Sequence, residues 1–354
     1  MHNRHKNSKK TINLALQGGG SHGAFTWGVV DRLLDEDDIQ IEGLSGTSAG
    51  GMNAAALAQG LLKNGNQGAK DELKRYWEMV MRQSPSHYIP SGVSSGVNDF
   101  LDLFGMKDAL SSQFVSLIQR SATQFQTSFS PYEWNPMNIN PLRYMVDQFY
   151  DFDLLKSAEF IKLFLATTHV KSGKPKIFNI HDISTDVLLA SACLPSLFHA
   201  VEIKGESYWD GGYLANPAIY PLIYECASPD IVVIQLSPKE INEVPRTSID
   251  ISNRNAQITF NSCLLRELRV IHFISELIDS KVLASTSKMK RVYIHMIQDN
   301  ELFSELDPRS AVSIEPSFIL ESLFTAGRAS GEKFLELHKE NLGKKTTADL
   351  DHYF

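Results

Sequence analysis

A serine lies between two glycines at residues 46–50, which read Gly-Thr-Ser-Ala-Gly. The nucleophilic serine of an acyl hydrolase stands on such a turn, because small flanking residues let the chain bend sharply from a strand into a helix. Residues 41–45 have a strand-like composition, and the alanine-rich residues 51–62 favour a helix. Ser48 is therefore a candidate nucleophile. The motif alone fits equally well a glycine-bounded turn in which Ser48 caps the helix.

A glycine loop occupies residues 18–23, Gly-Gly-Gly-Ser-His-Gly, and follows the strand-like residues 11–17. Backbone N–H groups at a glycine turn that opens a helix can stabilise negative charge developing on a substrate oxygen. The same loop also satisfies the G-x-G-x-x-G pattern, so a nucleotide-binding protein is an alternative. A dinucleotide site wants an acidic residue at the end of the second strand. Residues 35–38 precede that strand and Glu42 lies near its start, so none is well placed.

A carboxylate follows a short predicted strand that reaches Tyr208 and Trp209, in the sequence Asp210-Gly211-Gly212. An aspartate before two glycines is common in ordinary turns. A carboxylate within hydrogen-bond reach of a serine hydroxyl can also take its proton. A Ser-His-Asp triad would need a histidine, and no later histidine lies in a sequence that marks it as catalytic. His199 is the best of a weak set that also includes His169, His181 and His295.

Strand-like and helix-like segments alternate along the chain. The strands are predicted at residues 11–17, 41–45, 162–168, 230–236 and 291–297, with 176–180 as a hairpin partner of the third. Helices are predicted at residues 23–36, 51–62, 71–82, 187–193, 258–283 and 317–338. This order predicts an α/β fold with a mainly parallel central sheet and helices on both faces. Functional residues of such sheets gather at the carboxyl ends of strands, where all three motifs fall.

Residues 84–140 interrupt the alternation. They are rich in serine, glycine and proline, yet they carry five phenylalanines and Trp134, which is too apolar for a linker. Two short helices are predicted in this stretch, near residues 97–104 and 113–120. We expect an apolar insertion over the active site that acts as a lid or lines an acyl channel. The alternative is that these aromatic rings form a small satellite core.

The three motifs in this order resemble the patatin-like phospholipase family. The resemblance runs from about Thr11 to about Leu236 and includes residues 190–217, where Ala190-Ser191 and Pro195 precede the aspartate strand. The residues after 241 look like those of bacterial members. The family's fold is the mainly parallel α/β sheet predicted above. Residues 11–240 are expected to form the catalytic domain, and residues 241–354 a helical extension with a last strand, packed on the same domain.

The resemblance also implies roles for individual residues. Ser48 would be the nucleophile, and Asp210 would take its proton directly, without a histidine. The oxyanion hole would be formed by the loop amides at Gly18, Gly19, Gly20 and Ser21. His22 and Ala49 would contact the substrate. The family often has arginine or lysine where this chain has His22, so the charge at this position is expected to depend on pH.

The implied activity is hydrolysis of a lipid acyl ester, of the phospholipase A or lysophospholipase type, through an acyl-serine intermediate. The alternatives are a transacylase, a hydrolase of another apolar ester such as a polyester or thioester, and a catalytically idle scaffold. Neither a metal nor an organic cofactor is expected. A calcium-binding acidic loop is absent from the sequence. The expected partners are a phospholipid or other lipid ester and a membrane surface contacted peripherally.

Composition sets broader limits on this 354-residue chain. The net charge of −7 argues against a protein that binds nucleic acid. The three widely spaced cysteines predict buried free thiols in a reducing compartment. Residues 1–10 are basic with no apolar run after them, which predicts a disordered tail and not a signal peptide. A cytoplasmic location is expected, with a peripheral membrane position or export without a cleaved signal as alternatives.

Overall fold

An eight-stranded sheet forms the centre of the protein. The structure is a computed structural model, and it describes residues 9–82, 130–241, 243–282, 289–306 and 317–353. The strands are β1 (Lys10–Leu16), β2 (Ile39–Gly46), β3 (Lys162–His169), β4 (Lys174–Asn179), β5 (Val201–Ile203), β6 (Glu206–Asp210), β7 (Asp230–Ile234) and β8 (Tyr293–Ile297).

Five neighbouring strands, in the order β3-β2-β1-β7-β8, run parallel to one another. Each of the other three strands pairs in the antiparallel direction: β4 and β6 pair with β3, and β5 pairs with β6. The prediction of a mainly parallel α/β sheet is therefore confirmed. The hairpin of β3 and β4 is also as predicted. The short strand β5, which is joined to β6 through Lys204 and Gly205 at positive φ, was missed.

Helices cover both faces of the sheet. They are α1 (Gly23–Leu33), α2 (Ala49–Arg82), α3 (Pro131–Trp134), α4 (Pro141–Phe149), α5 (Phe152–Lys156), α6 (Thr185–Ser191), α7 (Tyr220–Glu225), α8 (Ser248–Asp279), α9 (Asn300–Glu305) and α10 (Ser317–His338). No helix among the described residues is long and apolar enough to cross a membrane.

The central strands are buried on both faces, as parallel strands between two helical layers must be. In β7 every residue is buried. Val232 and Ile234 belong to a large core with α1, α2 and α10, whereas Ile231 and Val233 belong to a smaller core with α7 and α8. Alternate side chains of one strand therefore feed two separate cores.

The two helical runs predicted at residues 51–62 and 71–82 are joined in α2. Non-helical backbone at Asn64 and Gly65 kinks this helix between them. Gly60 and Ala69 pack closely across the kink, since a Cβ on Gly60 would lie 2.4 Å from the Ala69 Cα. The other long helix, α8, begins ten residues before the predicted start at Ile258.

Glycines also let α1 and α10 approach each other closely. A Cβ on Gly28 would lie 2.0 Å from the Phe324 carbonyl oxygen, and a Cβ on Gly327 would lie 2.1 Å from the Phe25 carbonyl oxygen. Helix α10, from the end of the chain, is thereby fixed against the helix that follows the glycine loop.

Of the predicted insertion at residues 84–140, the structure describes residues 130–140. The two short helices predicted at 97–104 and 113–120 lie outside the described residues.

Candidate active site

Ser48 lies in the tight turn between β2 and α2. Its φ of 54° is in the left-handed region, which is uncommon for a residue with a side chain. The flanking glycines are required by close packing: a Cβ on Gly46 would lie 2.5 Å from the Gly50 carbonyl oxygen, and one on Gly50 would lie 2.2 Å from the Leu16 carbonyl oxygen. The turn therefore has the geometry of a nucleophile elbow, as its sequence predicts.

Ser191, at the end of α6, fixes the backbone of this turn. The N–H of Ser48 donates to both the Ser191 hydroxyl and the Ser191 carbonyl, each at 3.1 Å. The Ser191 hydroxyl in turn donates to the Ala166 carbonyl of β3 at 2.8 Å. This role of Ser191 could not be read from its neighbours along the chain, because the contact spans 143 residues.

Asp210 reaches Ser48 through the pairing of β6 with β3. Leu165 of β3 pairs with β4 on one edge and with Gly46 of β2 on the other. Two residues later, Thr167 pairs with β4 and with Asp210 of β6. Strand β4 pairs with one edge of β3 at both positions. The other edge of β3 pairs with β2 at Leu165 and with β6 at Thr167. Asp210 therefore ends a strand, as predicted, and this strand is one of the antiparallel ones in the mainly parallel sheet.

The Asp210 carboxylate is almost fully buried, with 2% of the residue exposed. Its Oδ1 accepts the N–H of Gly212 at 2.6 Å, and the Ser48 hydroxyl is close enough to favour the charged carboxylate. Burial disfavours the charged form and raises the pKa of Asp210 to about 7, and the contacts with Gly212 and Ser48 oppose the rise only in part. The group is thus a base with an affinity for protons far above that of an ordinary aspartate.

The glycine loop between β1 and α1 lies against Ser48. A Cβ on Gly18 would come within 2.9 Å of the Ser48 Cβ, so the loop passes directly beside the serine. The Gly18 N–H, however, donates to Oδ1 of Asn216 at 2.7 Å. Its prediction as an oxyanion donor therefore needs correction, because this N–H is already engaged. For the N–H groups of Gly19 and Gly20 there is no acceptor in the described part of the chain.

Buried amide side chains join the loop to neighbouring strands. The Gln17 Nε2 donates to Oδ1 of Asn261 at 2.9 Å. The Gln17 Oε1 accepts the N–H groups of Leu236 and Ser237, at 2.7 and 2.9 Å. Neither Gln17 nor Asn216 stood out in the sequence, since each acts through residues roughly two hundred positions away.

His22 is 7% exposed and lines the same cavity as Ser48, with its ring 5.4 Å from that of Phe303. Burial lowers the pKa of His22 to about 4. The ring is therefore neutral near pH 7, and the expectation of a charge that changes near neutral pH is wrong. Ser21 and Ala49 also line this cavity.

The four histidines considered for a triad have other partners. A ring nitrogen of His169 contacts Glu206, and one of His181 contacts the Lys156 carbonyl. A ring nitrogen of His199 contacts the Pro131 carbonyl, and one of His295 contacts Asp230. None of the four is among the described residues that line the cavity.

The cavity beside Ser48 has a volume of about 440 Å³. Most of its wall is apolar, and much of that wall comes from α2 and α4: Met52, Tyr76, Trp77, Val80, Leu142 and Met145. Polar side chains gather where the chain leaves β7 and enters α8, at Ser237, Asn253 and Gln257. Of residues 130–133 and 135–140, none lines it. The lid prediction otherwise concerns residues outside the described ones.

Similarity to known proteins is found at the level of the family. No curated protein matches this chain. VipD from Legionella pneumophila is 15% identical, with a TM-score of 0.39, over 94% of this chain and 68% of VipD. The ExoU–SpcU complex of Pseudomonas aeruginosa has a chain that is also 15% identical, with a TM-score of 0.33, over 95% of this chain and 53% of that one. A family model described as patatin-like phospholipase matches residues 14–223, more than half of the chain. The chain therefore belongs to the patatin-like phospholipase family.

Proposed function

We propose that the protein is a lipid acyl hydrolase, of the phospholipase A or lysophospholipase type, in which Ser48 and Asp210 act as a catalytic dyad. The observation that carries this proposal is the place of the Ser48 hydroxyl beside the buried Asp210 carboxylate, at the wall of one apolar cavity. Proton transfer needs nucleophile and base to be such neighbours.

The reaction starts when Asp210 takes the hydroxyl proton and the Ser48 Oγ attacks the carbonyl carbon of the ester. The resulting oxyanion accepts the N–H groups of Gly19 and Gly20. The intermediate collapses to acyl-Ser48, and the leaving alkoxide takes the proton from Asp210. Water then gives a proton to Asp210 and attacks the acyl group. The fatty acid leaves as the proton returns to Ser48.

Two electrostatic effects support this sequence. A base works best when its pKa lies near the working pH, and burial places the pKa of Asp210 at about 7. A backbone donor aimed at the oxyanion contributes roughly 3 kcal/mol of transition-state stabilisation. The chemistry needs no metal and no organic cofactor.

The apolar wall favours a fatty acyl chain as the group transferred to Ser48. A transacylase would form the same acyl-enzyme and differ only in the acceptor, which is water in a hydrolase. A nucleotide in the loop of residues 18–23 is disfavoured, because the Gly18 N–H is engaged by Asn216 and the adjoining cavity is apolar.

A fluorophosphonate probe tests the assignment. We expect covalent labelling of the wild type at Ser48, loss of labelling in Ser48→Ala, and loss of short-chain ester hydrolysis in the same variant. Ser172→Ala, in the turn between β3 and β4, is the matched serine control and should label normally. Hydrolysis by Ser48→Ala at the wild-type rate would refute the nucleophile. Acyl transfer to an added alcohol in preference to water would identify a transacylase.

A further inference from the structure

A second cavity, of about 350 Å³, lies next to the one beside Ser48. The two share four wall residues, Pro238, Gln257, Phe303 and Leu306. All four lie beyond residue 223, where the match to the family model ends. The second cavity is therefore built by the C-terminal part of this chain.

Part of the shared wall, at Pro238 and Gln257, lies on the polar side of the first cavity, whereas Phe303 and Leu306 are apolar. Gln257 of α8 and Pro238, which follows β7, stand beside the polar side chains of Ser237 and Asn253. The apolar side chains of α2 and α4 form a separate stretch of the wall. The second cavity, which adjoins the first through the four shared residues, offers a place for the alcohol portion of an ester whose acyl chain lies along α2.

Two arginines lie in the wall of the second cavity. Arg254 is half-buried and held in place, since its Nη1 donates to Gln257 Oε1 at 3.2 Å and its Nη2 to the Lys239 carbonyl at 2.9 Å. Its remaining N–H groups have no acceptor among the described residues. Arg246 is exposed and has no hydrogen-bond or ion-pair partner in the same part of the chain. Guanidinium groups bind phosphate oxygens with paired N–H donors.

Two carboxylates share this wall and limit the charge of the ligand. They belong to Glu243, which is exposed, and Asp250, which accepts the Thr247 hydroxyl at 2.6 Å. Among the described residues of this wall, two arginines and two carboxylates balance in formal charge. A phosphodiester, which carries one negative charge, suits this balance better than free phosphate, which is largely a dianion above neutral pH.

We infer that the second cavity binds the phosphodiester of a glycerophospholipid headgroup while the acyl chain occupies the cavity beside Ser48. This inference rests on the proposed function, because it takes the ester to lie at Ser48. It makes Arg246 and Arg254 determinants of headgroup preference.

Calorimetry on the full chain carrying Ser48→Ala tests the inference without turnover. The ligands are lysophosphatidylglycerol and a monoacylglycerol with the same acyl chain, both below their micelle concentrations. We expect the phospholipid to bind about tenfold more tightly, which is the scale of one charge-assisted hydrogen bond. Adding Arg246→Gln and Arg254→Gln should remove that preference. Arg266→Gln, an exposed arginine 12 residues further along α8, is the matched control and should keep it.

Equal binding of the two ligands, no binding of either, or an equal loss of preference in Arg266→Gln overturns the subsite. Binding of inorganic phosphate distinguishes a site for a lipid headgroup from a site for free phosphate. Phosphate that binds as tightly as lysophosphatidylglycerol, in an arginine-dependent way, would make this a site for free phosphate and not for a headgroup. The proposed hydrolase is judged separately, by probe labelling and hydrolysis in the wild type.

Discussion

The N–H of Gly18 donates to Oδ1 of Asn216 at 2.7 Å, which ties the loop beside Ser48 to the segment that follows Asp210. That segment is held at two further points. The Thr47 hydroxyl donates to the Ala215 carbonyl at 2.6 Å, and the Glu267 carboxylate accepts the N–H groups of Ile219 and Tyr220. The turn of the proposed nucleophile and the oxyanion loop are thus both hydrogen-bonded to the segment that follows the proposed base. Within that segment, we propose that Asn216 is a positioning residue.

Asn216→Leu should lower kcat with little change in KM for a short-chain ester. Leucine removes the acceptor and leaves the buried Gly18 N–H unsatisfied, so the loop carrying Gly19 and Gly20 loses its anchor. We expect a loss of about 10- to 100-fold, below the effect of deleting a whole oxyanion donor. Steady-state kinetics on both parameters measures this split.

Asn216→Asp is the conservative control. Its carboxylate accepts the same N–H, so kcat should recover in large part when measured above pH 8. The added charge near Asp210 should shift the acid limb of the pH profile upward. Equal losses of kcat in both variants at every pH would show that Asn216 does not act by holding the loop.

Asp210→Asn should lower turnover by roughly 10²–10⁴-fold, as expected for the loss of a catalytic base. It should exceed the effect of any single histidine-to-alanine change, including His199→Ala. Comparable losses in Asp210→Asn and His199→Ala would favour a triad over the dyad. The two variants need only one assay, hydrolysis of a short-chain ester at pH 8.

The same substitution should raise the melting temperature at alkaline pH. The pKa of Asp210 is about 7 in the folded protein and near 3.8 when exposed, so folding favours the protonated carboxyl. The stability that this group contributes is fully present below about pH 4 and is lost as the pH rises through 7. Asparagine mimics the neutral form, so its advantage in Tm over wild type should be larger at pH 8.5 than at pH 5. An advantage independent of pH would contradict a raised pKa.

The rate of neutral ester hydrolysis should rise with pH through a single ionisation near 7. The ionised form of Asp210 is the base, and its pKa is about 7 in the free enzyme. His22 should not contribute, since burial places its pKa at about 4. The midpoint of this rise is measured from kcat/KM between pH 5 and 9. His199→Ala should leave its midpoint unchanged, and a midpoint below 5 would be incompatible with the buried carboxylate.

The sequence predicted those parts of the site that depend on neighbours along the chain. Glycine spacing placed the turn at Ser48 and the loop at residues 18–23, because close backbone approach and positive φ demand glycine locally. The parallel sheet was likewise predicted from a local pattern, the alternation of strands and helices along the chain. Asp210 was predicted as a residue, but its position was not. The position of Asp210 depends on β6, which pairs with the same edge of β3 as β2 does, but further along that strand.

Contacts between distant segments could not be predicted. Ser191 and Asn216 hold the elbow and the loop from 143 and 198 residues away, and serine and asparagine occur in many other settings. The burial of His22 was missed because its outcome depends on Phe303 of α9, far along the chain. The second cavity arises from residues that carry no motif at all.

Gly327→Ala should destabilise the protein although alanine favours helices over glycine. In α10 the substitution gains up to about 1 kcal/mol of helix propensity. The new Cβ would lie 2.1 Å from the Phe25 carbonyl oxygen of α1, and backbone cannot rotate away as a side chain would. The helices must separate, and overpacking of this kind typically costs about 1–3 kcal/mol. After the gain in helix propensity, the free energy of unfolding, from urea titration, should fall by up to about 2 kcal/mol.

Gly331→Ala, one turn further along α10, makes the same chemical change under looser packing. Its Cβ would lie 3.2 Å from the Arg32 Cβ and from the Val29 carbonyl oxygen, so small shifts suffice and helix propensity nearly offsets them. The difference between the two variants isolates the contact of α10 with α1. Because Phe25 packs on Phe303, whose ring lies 5.4 Å from that of His22, separation of the helices should also disturb the cavity. Gly327→Ala should therefore lose more ester hydrolysis than Gly331→Ala at a temperature where both remain folded. Equal stability and equal activity in the two variants would show that this contact does not support the site.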